Sequence, residues 1–286
     1  MKPPPFGYAR PESVSEALST LASLGPDGKV LAGGQSLLPL LSMRLAAPHH
    51  LVDVNRLAEL SYVTVDADRV RVGALARHSR VLADAPAQAA QPLLAQALRL
   101  VAHATIRNRG TTVGSIVHAD PSGEMTAVLS LLGGWVLLAS SSGRRTVAAG
   151  EFFLGPLESA VRPGELAIEA CFPVLPAGAG TAFVEVARRH GDYAVCGVAA
   201  LVEVDDDGGV RTARAAYLSV APTPLVLDLT ADVGASGDFA NGAASARERV
   251  DPEADIHATA DYRRHLAGVL TERALRDAYR AALERR

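Results

Sequence analysis

The sequence contains few cysteines and few aromatic residues. Of its 286 residues 2 are cysteine and 1 is tryptophan, and aromatic side chains make up 5%. Cys171 and Cys196 lie in separate apolar segments and form no C-x-x-C pair. We therefore predict that the chain holds neither a zinc ion nor an iron–sulfur cluster of its own, and that both cysteines are buried in the core. Any metal chemistry would have to come from a partner.

The sequence also lacks an excess of positive charge and any long apolar run. Its 28 basic and 31 acidic residues give a net charge of −3, which argues against a nucleic-acid-binding protein. No apolar run approaches the roughly 20 residues that a membrane span requires. The start, Met1-Lys2-Pro3-Pro4-Pro5-Phe6, has no apolar segment of the kind found in secretory signals. We therefore expect a cytoplasmic protein without a membrane span.

What the sequence does contain is enough apolar material for a packed core. Hydrophobic residues make up 49% and charged residues 21%, which is typical of a globular chain. The length exceeds that of most single domains. We predict one domain over residues 1–175, with lobes over about 1–55 and 56–175, and a second domain over 176–286. The Pro- and Gly-rich segment 173–180 would link the two domains.

Apolar spacing and turn residues predict the individual elements. Ser13 and Glu16 are typical of a capping box at the start of a helix. Helices are predicted over residues 14–24, 37–45, 89–103, 125–132 and 262–285. Strands are predicted over 29–31, 51–54, 62–66, 69–73, 135–140, 145–148, 166–172, 181–188, 194–204 and 210–220. The first elements would form a βαβ unit, and the last three strands an antiparallel meander ended by Pro222 and Pro224. The segment from about 228 to 255 has no clear pattern.

Two adjacent glycines mark a candidate binding turn near the N-terminus. The residues Ala32-Gly33-Gly34-Gln35-Ser36 connect a predicted strand with a predicted helix. Glycine accepts positive φ and the close approach of a ligand. Backbone N–H groups that converge at a helix N-terminus favour anions, above all phosphates. On these residues alone, an ordinary strand-to-helix turn without a ligand is the alternative.

A second glycine-containing turn has similar properties. It runs through Arg107-Asn108-Arg109-Gly110-Thr111-Thr112-Val113-Gly114-Ser115 and offers N–H and hydroxyl donors between two arginines. Two such turns suit a long cofactor with a diphosphate bridge. Neither turn matches the G-x-G-x-x-G pattern or the P-loop, which argues against NAD on a Rossmann fold and ATP on a P-loop. No G-x-S-x-G elbow supports a serine hydrolase.

Seven short motifs, taken in order, resemble the FAD-binding medium subunit of the molybdenum hydroxylases. The resemblance covers nearly the whole chain and is greatest to the aerobic carbon monoxide dehydrogenase branch of the xanthine dehydrogenase family. The motifs are AGGQSLLP at 32–39, LVDVN at 51–55, RNRGT at 107–111, HADP at 118–121, RR with GDYA within 188–194, VAPTP at 220–224 and YRRHL at 262–266.

The resemblance implies an α+β fold. A two-lobed FAD-binding domain of the PCMH/VAO (vanillyl-alcohol oxidase) type would be followed by a C-terminal domain with a small antiparallel sheet and helices. It also implies the site. The FAD pyrophosphate and ribityl region would be held by Ala32, Gly33, Gly34, Gln35, Ser36, Thr111, Thr112, Val113, Gly114 and Ser115. The remaining contacts would be Lys29, Val30 and Leu31 along the approach, His118 and Glu124 near the flavin or ribityl chain, Leu166 against the flavin, and Tyr193 flanking the isoalloxazine ring.

In this family the organic substrate is oxidised on another chain. The resemblance implies a large partner subunit with a molybdenum cofactor and a small partner subunit with two [2Fe-2S] clusters. FAD on the medium subunit would pass electrons to a quinone, NAD or oxygen, and no catalytic residue is assigned to this chain. Two other functions stay open, a stand-alone flavin oxidase or dehydrogenase and a flavin-free scaffold or binding protein of the same fold. His118 and Tyr193 also have purely structural alternatives.

Two residues depart from the family pattern, and both lie in the same half of the site. The family usually has glycine where this chain has Val113, and aspartate where it has Glu124. If position 113 requires positive φ, valine would be strained by about 1–3 kcal/mol. Either the loop has adjusted, or FAD binds more weakly. On the strain hypothesis, Val113→Gly tightens FAD binding.

Overall fold

The computed structural model describes residues 2–286, and most of its strands fall into three sheets that follow one another along the chain. The strands are β1 (Gly7–Ala9), β2 (Gly28–Leu31), β3 (His50–Asp53), β4 (Val63–Val65), β5 (Arg69–Gly73), β6 (Trp135–Ser140), β7 (Gly143–Ala148), β8 (Phe153–Gly155), β9 (Glu158–Ser159), β10 (Leu166–Pro173), β11 (Ala179–Ala187), β12 (Ala194–Val204), β13 (Val210–Leu218) and β14 (Leu225–Asp228). The helices are α1 (Val14–Leu24), α2 (Leu37–Ser42), α3 (His78–Ala83), α4 (Ala85–Ala90), α5 (Pro92–Leu98), α6 (Ala104–Arg107), α7 (Thr112–His118), α8 (Glu124–Leu132), α9 (Ala149–Phe152), α10 (Thr230–Val233), α11 (Phe239–Arg249) and α12 (Ala260–Glu284).

The first sheet confirms the predicted βαβ unit. Its strand order is β1-β3-β2, all pairs are parallel, and α2 connects β2 with β3. Helix α1 begins as predicted, because Ser13 Oγ accepts a hydrogen bond from Glu16 N at 3.2 Å. The return bond of the capping box differs, since Glu16 Oε2 accepts from Glu12 N at 2.8 Å. Helix α2 ends at Ser42, earlier than predicted, because Arg44 adopts φ +59°.

The second sheet has the order β4-β5-β10-β6-β7, and all its pairs are antiparallel. The predicted hairpin of β4 and β5 is confirmed. The predicted single helix over residues 89–103 is wrong. Helix α4 ends at Ala90 and α5 begins anew at Pro92, because proline has no N–H with which to continue a helix. Gln91 lies at the junction and donates through Nε2 to Pro173 O at 2.8 Å.

The third sheet confirms the predicted meander and extends it. Its order is β11-β12-β13-β14, with antiparallel pairing throughout. Strand β14 follows the prolines that were expected to end the sheet. Helix α11 forms in the segment that had no clear pattern, and Asp238 caps it through a bond from Asn241 N at 3.0 Å. The long helix α12 packs on β11 and β12.

Both faces of the third sheet are covered. Helix α5 packs on β11, and α8 packs on β12 and β13, so that one apolar core runs from Leu21 in α1 through Val128 in α8 to Leu218 in β13. A second core lies between the sheet and α12, around Tyr217 and Leu270. Cys171 and Cys196 are free and buried, as predicted. The division of the chain between residues 175 and 176 stays a prediction.

Candidate functional site

The first glycine turn lies between β2 and α2 and is pressed against the second. Gly34 has φ +73°, a conformation that favours glycine. Gly33 is buried. A Cβ added at Gly33 would lie 2.5 Å from Arg109 O and 2.8 Å from Gly110 Cα. The two turns that were singled out separately in the sequence are therefore in direct backbone contact, and this contact leaves no space for a side chain at position 33.

The second turn is the start of helix α7. Thr111 is the N-cap, and its Oγ1 accepts a hydrogen bond from Gly114 N at 3.1 Å. A Cβ at Gly114 would lie 2.5 Å from that same oxygen atom, so glycine here makes room for the cap. Ser115 N donates to Thr111 O at 3.0 Å. The turn is thus built around the side chain of Thr111.

The structure overturns the hypothesis that Val113 is strained. Val113 lies inside α7 and is not among the residues with positive φ. Its side chain is 2% exposed and belongs to the same apolar core as Ile116. Valine is an unstrained core residue at this position because the backbone is helical there. Its role in binding a ligand would be limited to the backbone.

Four consecutive backbone donors of the first turn are unpaired. The N–H groups of Gly33, Gly34, Gln35 and Ser36 have no hydrogen-bond partner within residues 2–286. Gln35 Nε2 donates to Gly33 O at 2.9 Å and stiffens the turn. Consecutive free N–H groups of this kind form a concave site for an anion. The unpaired donors of the turn therefore suit a diphosphate.

Arg77 and Asn55, which were not predicted from the sequence to belong to the site, fix the two turns to each other. Arg77 Nη1 donates to Arg109 O at 2.6 Å, and Nη2 donates to Asn55 Oδ1 at 2.7 Å. Asn55 Nδ2 in turn donates to Ala32 O at 2.8 Å. Burial, and then the charge of Arg109, lower the pKa of Arg77. Asn55 ended one of the recognised motifs, but nothing in the sequence marked Arg77.

His78 supports the second turn from below. Its backbone N donates to Gly110 O at 3.0 Å, and its Nδ1 lies 3.2 Å from Thr112 Oγ1. Burial, and then the positive charge of Arg107, lower the pKa of His78 to about 4. The ring is therefore neutral near pH 7, and its role is to hold Thr112 in place.

A pair of acidic residues lies where α8 meets the third sheet. Burial, followed by the charge of Glu185, raises the pKa of Glu124 to about 8. Burial also raises the pKa of Glu185, on β11, to about 7. Glu185 Oε2 is buried without a hydrogen-bond partner in the described chain. The third sheet thus adds a carboxyl group that was not predicted from the sequence, because no local pattern connects β11 with α8.

The other residues that were predicted to contact FAD fall into two groups, one polar and one apolar. The pKa of His118 is lowered, mainly by burial. The charge of Asp120 opposes this shift, and the charge of Lys29, which is close enough to act on the ring, adds to it. His118 Nε2 lies 4.0 Å from Asp120 Oδ2. Tyr193 as a whole residue is 67% exposed, and partial desolvation of its hydroxyl, followed by the negative charges of Asp120 and Glu124, raises its pKa. Lys29, His118, Glu124 and Tyr193 therefore share one neighbourhood.

Leu166 belongs to the other group. It begins β10, is 3% exposed and is part of the large apolar core. Val30 is partly buried and packs against that core. The contact of these two side chains with a flavin stays a prediction.

Taken together, the site combines an anion-binding turn with an acidic and aromatic neighbourhood. This arrangement suits an elongated cofactor with a diphosphate and a ring system, and FAD has both. Within residues 2–286, no group of three or more His, Cys, Asp or Glu side chains is placed to hold a metal ion. Nor does any helix in that range combine the length and the apolar character needed to cross a membrane.

Comparison with known proteins identifies the family. Residues 4–175 match the family described as the FAD binding domain in molybdopterin dehydrogenase. Residues 181–278 match the CO dehydrogenase flavoprotein C-terminal domain. The 6-hydroxypseudooxynicotine dehydrogenase complex subunit alpha of Paenarthrobacter nicotinovorans is 38% identical, over 99% of this chain and 97% of its own length. The carbon monoxide dehydrogenase medium chain of Hydrogenophaga pseudoflava is 35% identical, over 98% and 99%.

The fold agrees with that assignment. A structure of carbon monoxide dehydrogenase from Hydrogenophaga pseudoflava that lacks the Mo-pyranopterin moiety of its cofactor superposes with a TM-score of 0.91, at 36% identity, over 98% of this chain and 99% of the other. The α+β fold expected from the sequence is confirmed. This chain belongs to the family of FAD-binding medium subunits of the molybdenum hydroxylases, and it is the FAD-dependent flavoprotein subunit of an oxidoreductase.

Proposed function

We propose that this chain is the electron-transfer subunit of a molybdenum hydroxylase complex. It would receive electrons from [2Fe-2S] clusters on a small partner subunit and deliver them to an external acceptor. The observation that carries the proposal is the backbone contact between the two glycine turns. This contact is so close that a Cβ added at Gly33 would lie 2.5 Å from Arg109 O. The turn has free N–H groups and lies where the sequence resemblance predicts the FAD diphosphate.

Each group of residues has a distinct task in this proposal. The free N–H groups of Gly33 to Ser36 bind the diphosphate. Arg77 and Asn55 orient the two turns, and His78 holds Thr112. Bound FAD supplies the reversible uptake and release of electrons, and the protein supplies orientation and electrostatics.

The acidic pair and the exposed tyrosine act at the other end of the site. Glu124 and Glu185 have pKa values of about 8 and 7. Each carboxyl group therefore takes up or releases a proton near neutral pH. A carboxyl pair that holds a proton avoids the cost of two buried negative charges. Tyr193 is exposed enough to cover one face of a ring.

The proposed partners explain why the relatives differ in substrate. One relative is named for 6-hydroxypseudooxynicotine and another for carbon monoxide, although this chain is 38% and 35% identical to them. Similar medium chains thus occur with unrelated substrates. We infer that a large subunit with a molybdenum cofactor selects the substrate, and that this chain serves it through a small iron–sulfur subunit.

We also propose the division into two domains, with FAD bound by residues 1–175 and residues 176–286 forming the C-terminal domain. The boundaries of the two matched families, which end at 175 and begin at 181, support it. The charge of Glu185, on the third sheet, nevertheless acts on Glu124.

The visible absorption spectrum of the purified chain tests the proposed cofactor site. We expect a flavin spectrum, or its appearance when FAD is titrated into chain from which cofactor has been removed. Co-expression with candidate large and small subunits should yield a complex that co-purifies. A chain that shows no flavin spectrum and takes up no FAD would contradict the proposal. A chain that binds FAD and oxidises a small molecule without partners would contradict the electron-transfer role alone.

A further inference from the structure

Ser219 has an unusual backbone at the end of β13. Its φ is +62°, in the left-handed region that residues other than glycine and asparagine rarely adopt. Its side chain is buried, with 8% exposure. A residue kept in this conformation needs support from its surroundings.

Every polar atom of Ser219 has a partner. Its backbone N donates to Pro121 O at 2.9 Å. Its hydroxyl donates to Ala194 O at 2.7 Å, and the same oxygen lies at hydrogen-bond distance, 2.8 Å, from Ser122 Oγ. Its carbonyl oxygen accepts from Arg263 Nη1 at 2.6 Å. Ser219 therefore joins three segments that are distant in the sequence.

Two of these segments carry residues of the proposed flavin site. Pro121 and Ser122 lie between Asp120 and Glu124, in the loop that follows His118. Ala194 comes directly after Tyr193 and begins β12. The hydroxyl of Ser219 is thus a bridge between the segment that carries the acidic residue and the segment that carries the aromatic residue.

Arg263 holds this bridge from the side of α12. Its guanidinium is 8% exposed and donates to Val195 O at 3.2 Å as well as to Ser219 O. Nη2 donates to Asp255 Oδ2 at 2.6 Å. Hydrogen bonds from charged groups are stronger than neutral ones, so α12 fixes the ends of β12 and β13 relative to each other.

We propose that Ser219 is a positioning residue that sets the spacing between Tyr193 and the segment from His118 to Glu124, and therefore the width of the space for the isoalloxazine ring. The inference rests on the proposed function. Glycine would adopt the observed φ without strain but would lack the hydroxyl, so the two contributions of Ser219 can be separated by mutation.

The decisive variant is Ser219→Gly, measured in the full chain. It relieves the backbone strain and removes the hydroxyl bridge, but it keeps the backbone bonds of residue 219 to Pro121 and Arg263. Folding is therefore retained, while the hydroxyl no longer ties the two segments together. We expect FAD to bind about tenfold more weakly, as the loss of buried hydrogen bonds implies. The flavin absorption band should change shape, and iodide should quench flavin fluorescence more strongly. Ser122→Ala, which removes only one link, should change all three in the same direction but less.

Ser23→Ala is the matched control, because Ser23 is exposed and its hydroxyl bonds only to Thr20 O within its own helix. It should leave FAD affinity, spectrum and quenching unchanged. Wild-type FAD affinity and spectrum in both Ser219→Gly and Ser122→Ala would overturn the positioning role while leaving FAD binding by the chain intact. A wild-type chain that binds no FAD would overturn the proposed function and this inference with it.

Discussion

At the scale of single residues, Val113 shows how a binding turn can also serve the core. Its side chain is 2% exposed and packs within α7 against the main core. Val113→Gly removes this buried side chain and places glycine in a helix. Together these should lower the free energy of unfolding by about 3 kcal/mol, measured by urea denaturation. FAD affinity should not increase, because the backbone at position 113 is already unstrained.

Val269→Gly provides the matched control for this prediction. Val269 also lies in a helix but is 36% exposed. The same substitution there should cost only about 0.5 kcal/mol, the difference in helix propensity. Equal losses at both positions would show that Val113 contributes no packing. Tighter FAD binding by Val113→Gly would show that the turn requires glycine after all.

The example of Val113 also shows what the sequence could reveal about individual site residues. The motifs located both turns, because glycine pairs and capping threonines leave local signals. The φ at position 113 depends on where α7 begins, and that is set by Thr111 and its contact with the strand-like backbone at Arg77. A contact between residues so far apart in the chain leaves no trace in a local pattern.

At the scale of elements, the site depends on the packing of the β2–α2 turn against the turn before α7. Gly33→Ala would place a methyl carbon 2.5 Å from Arg109 O, which is closer than real carbon atoms approach. The two turns must then move apart, which stretches the hydrogen bonds from Arg77 to Arg109 O and to Asn55 Oδ1. We expect a loss of about 2 kcal/mol in stability and markedly weaker FAD binding, measured by denaturation and by titration of the FAD-free chain.

Gly150→Ala separates this effect from the general consequences of removing a glycine. Gly150 lies in α9, and a Cβ added there meets no atom within 4 Å. Alanine at that position should be neutral or slightly stabilising. If Gly33→Ala behaves like Gly150→Ala, the close contact between the turns does not matter for the site.

Elements with a strong apolar signal were predictable, and those shaped by their neighbours were not. An almost continuous apolar run predicted β12 with its full bounds, Ala194 to Val204. The helix expected over residues 89–103 was divided by Pro92. Strand β1 is only three residues long and forms because it pairs in parallel with β3. Such short strands are stabilised by pairing and have little propensity of their own.

At the scale of the whole molecule, the acidic pair joins the FAD-binding part of the chain to the third sheet. Glu124 begins α8 and Glu185 lies on β11, and the sequence predicted both elements but not the proximity of the two carboxyl groups. Asp120 adds a further negative charge near Glu124. The pair therefore makes the stability of the folded chain depend on pH.

The sign of this dependence follows from proton binding. The pKa of Glu124 is raised from 4.5 to about 8, and that of Glu185 from 4.5 to about 7, so between these values the folded chain binds more protons than the unfolded chain. The contribution of the two protonated carboxyl groups to the stability of the folded chain is fully present below about pH 4.5 and is lost as the pH rises to 8. Glu124→Gln stays neutral, so its stability relative to wild type should increase across this range in urea denaturation. Glu253→Gln, at an exposed position, should show no such trend. A difference between Glu124→Gln and wild type that is the same at pH 5 and pH 9 would mean that Glu124 does not titrate in this range.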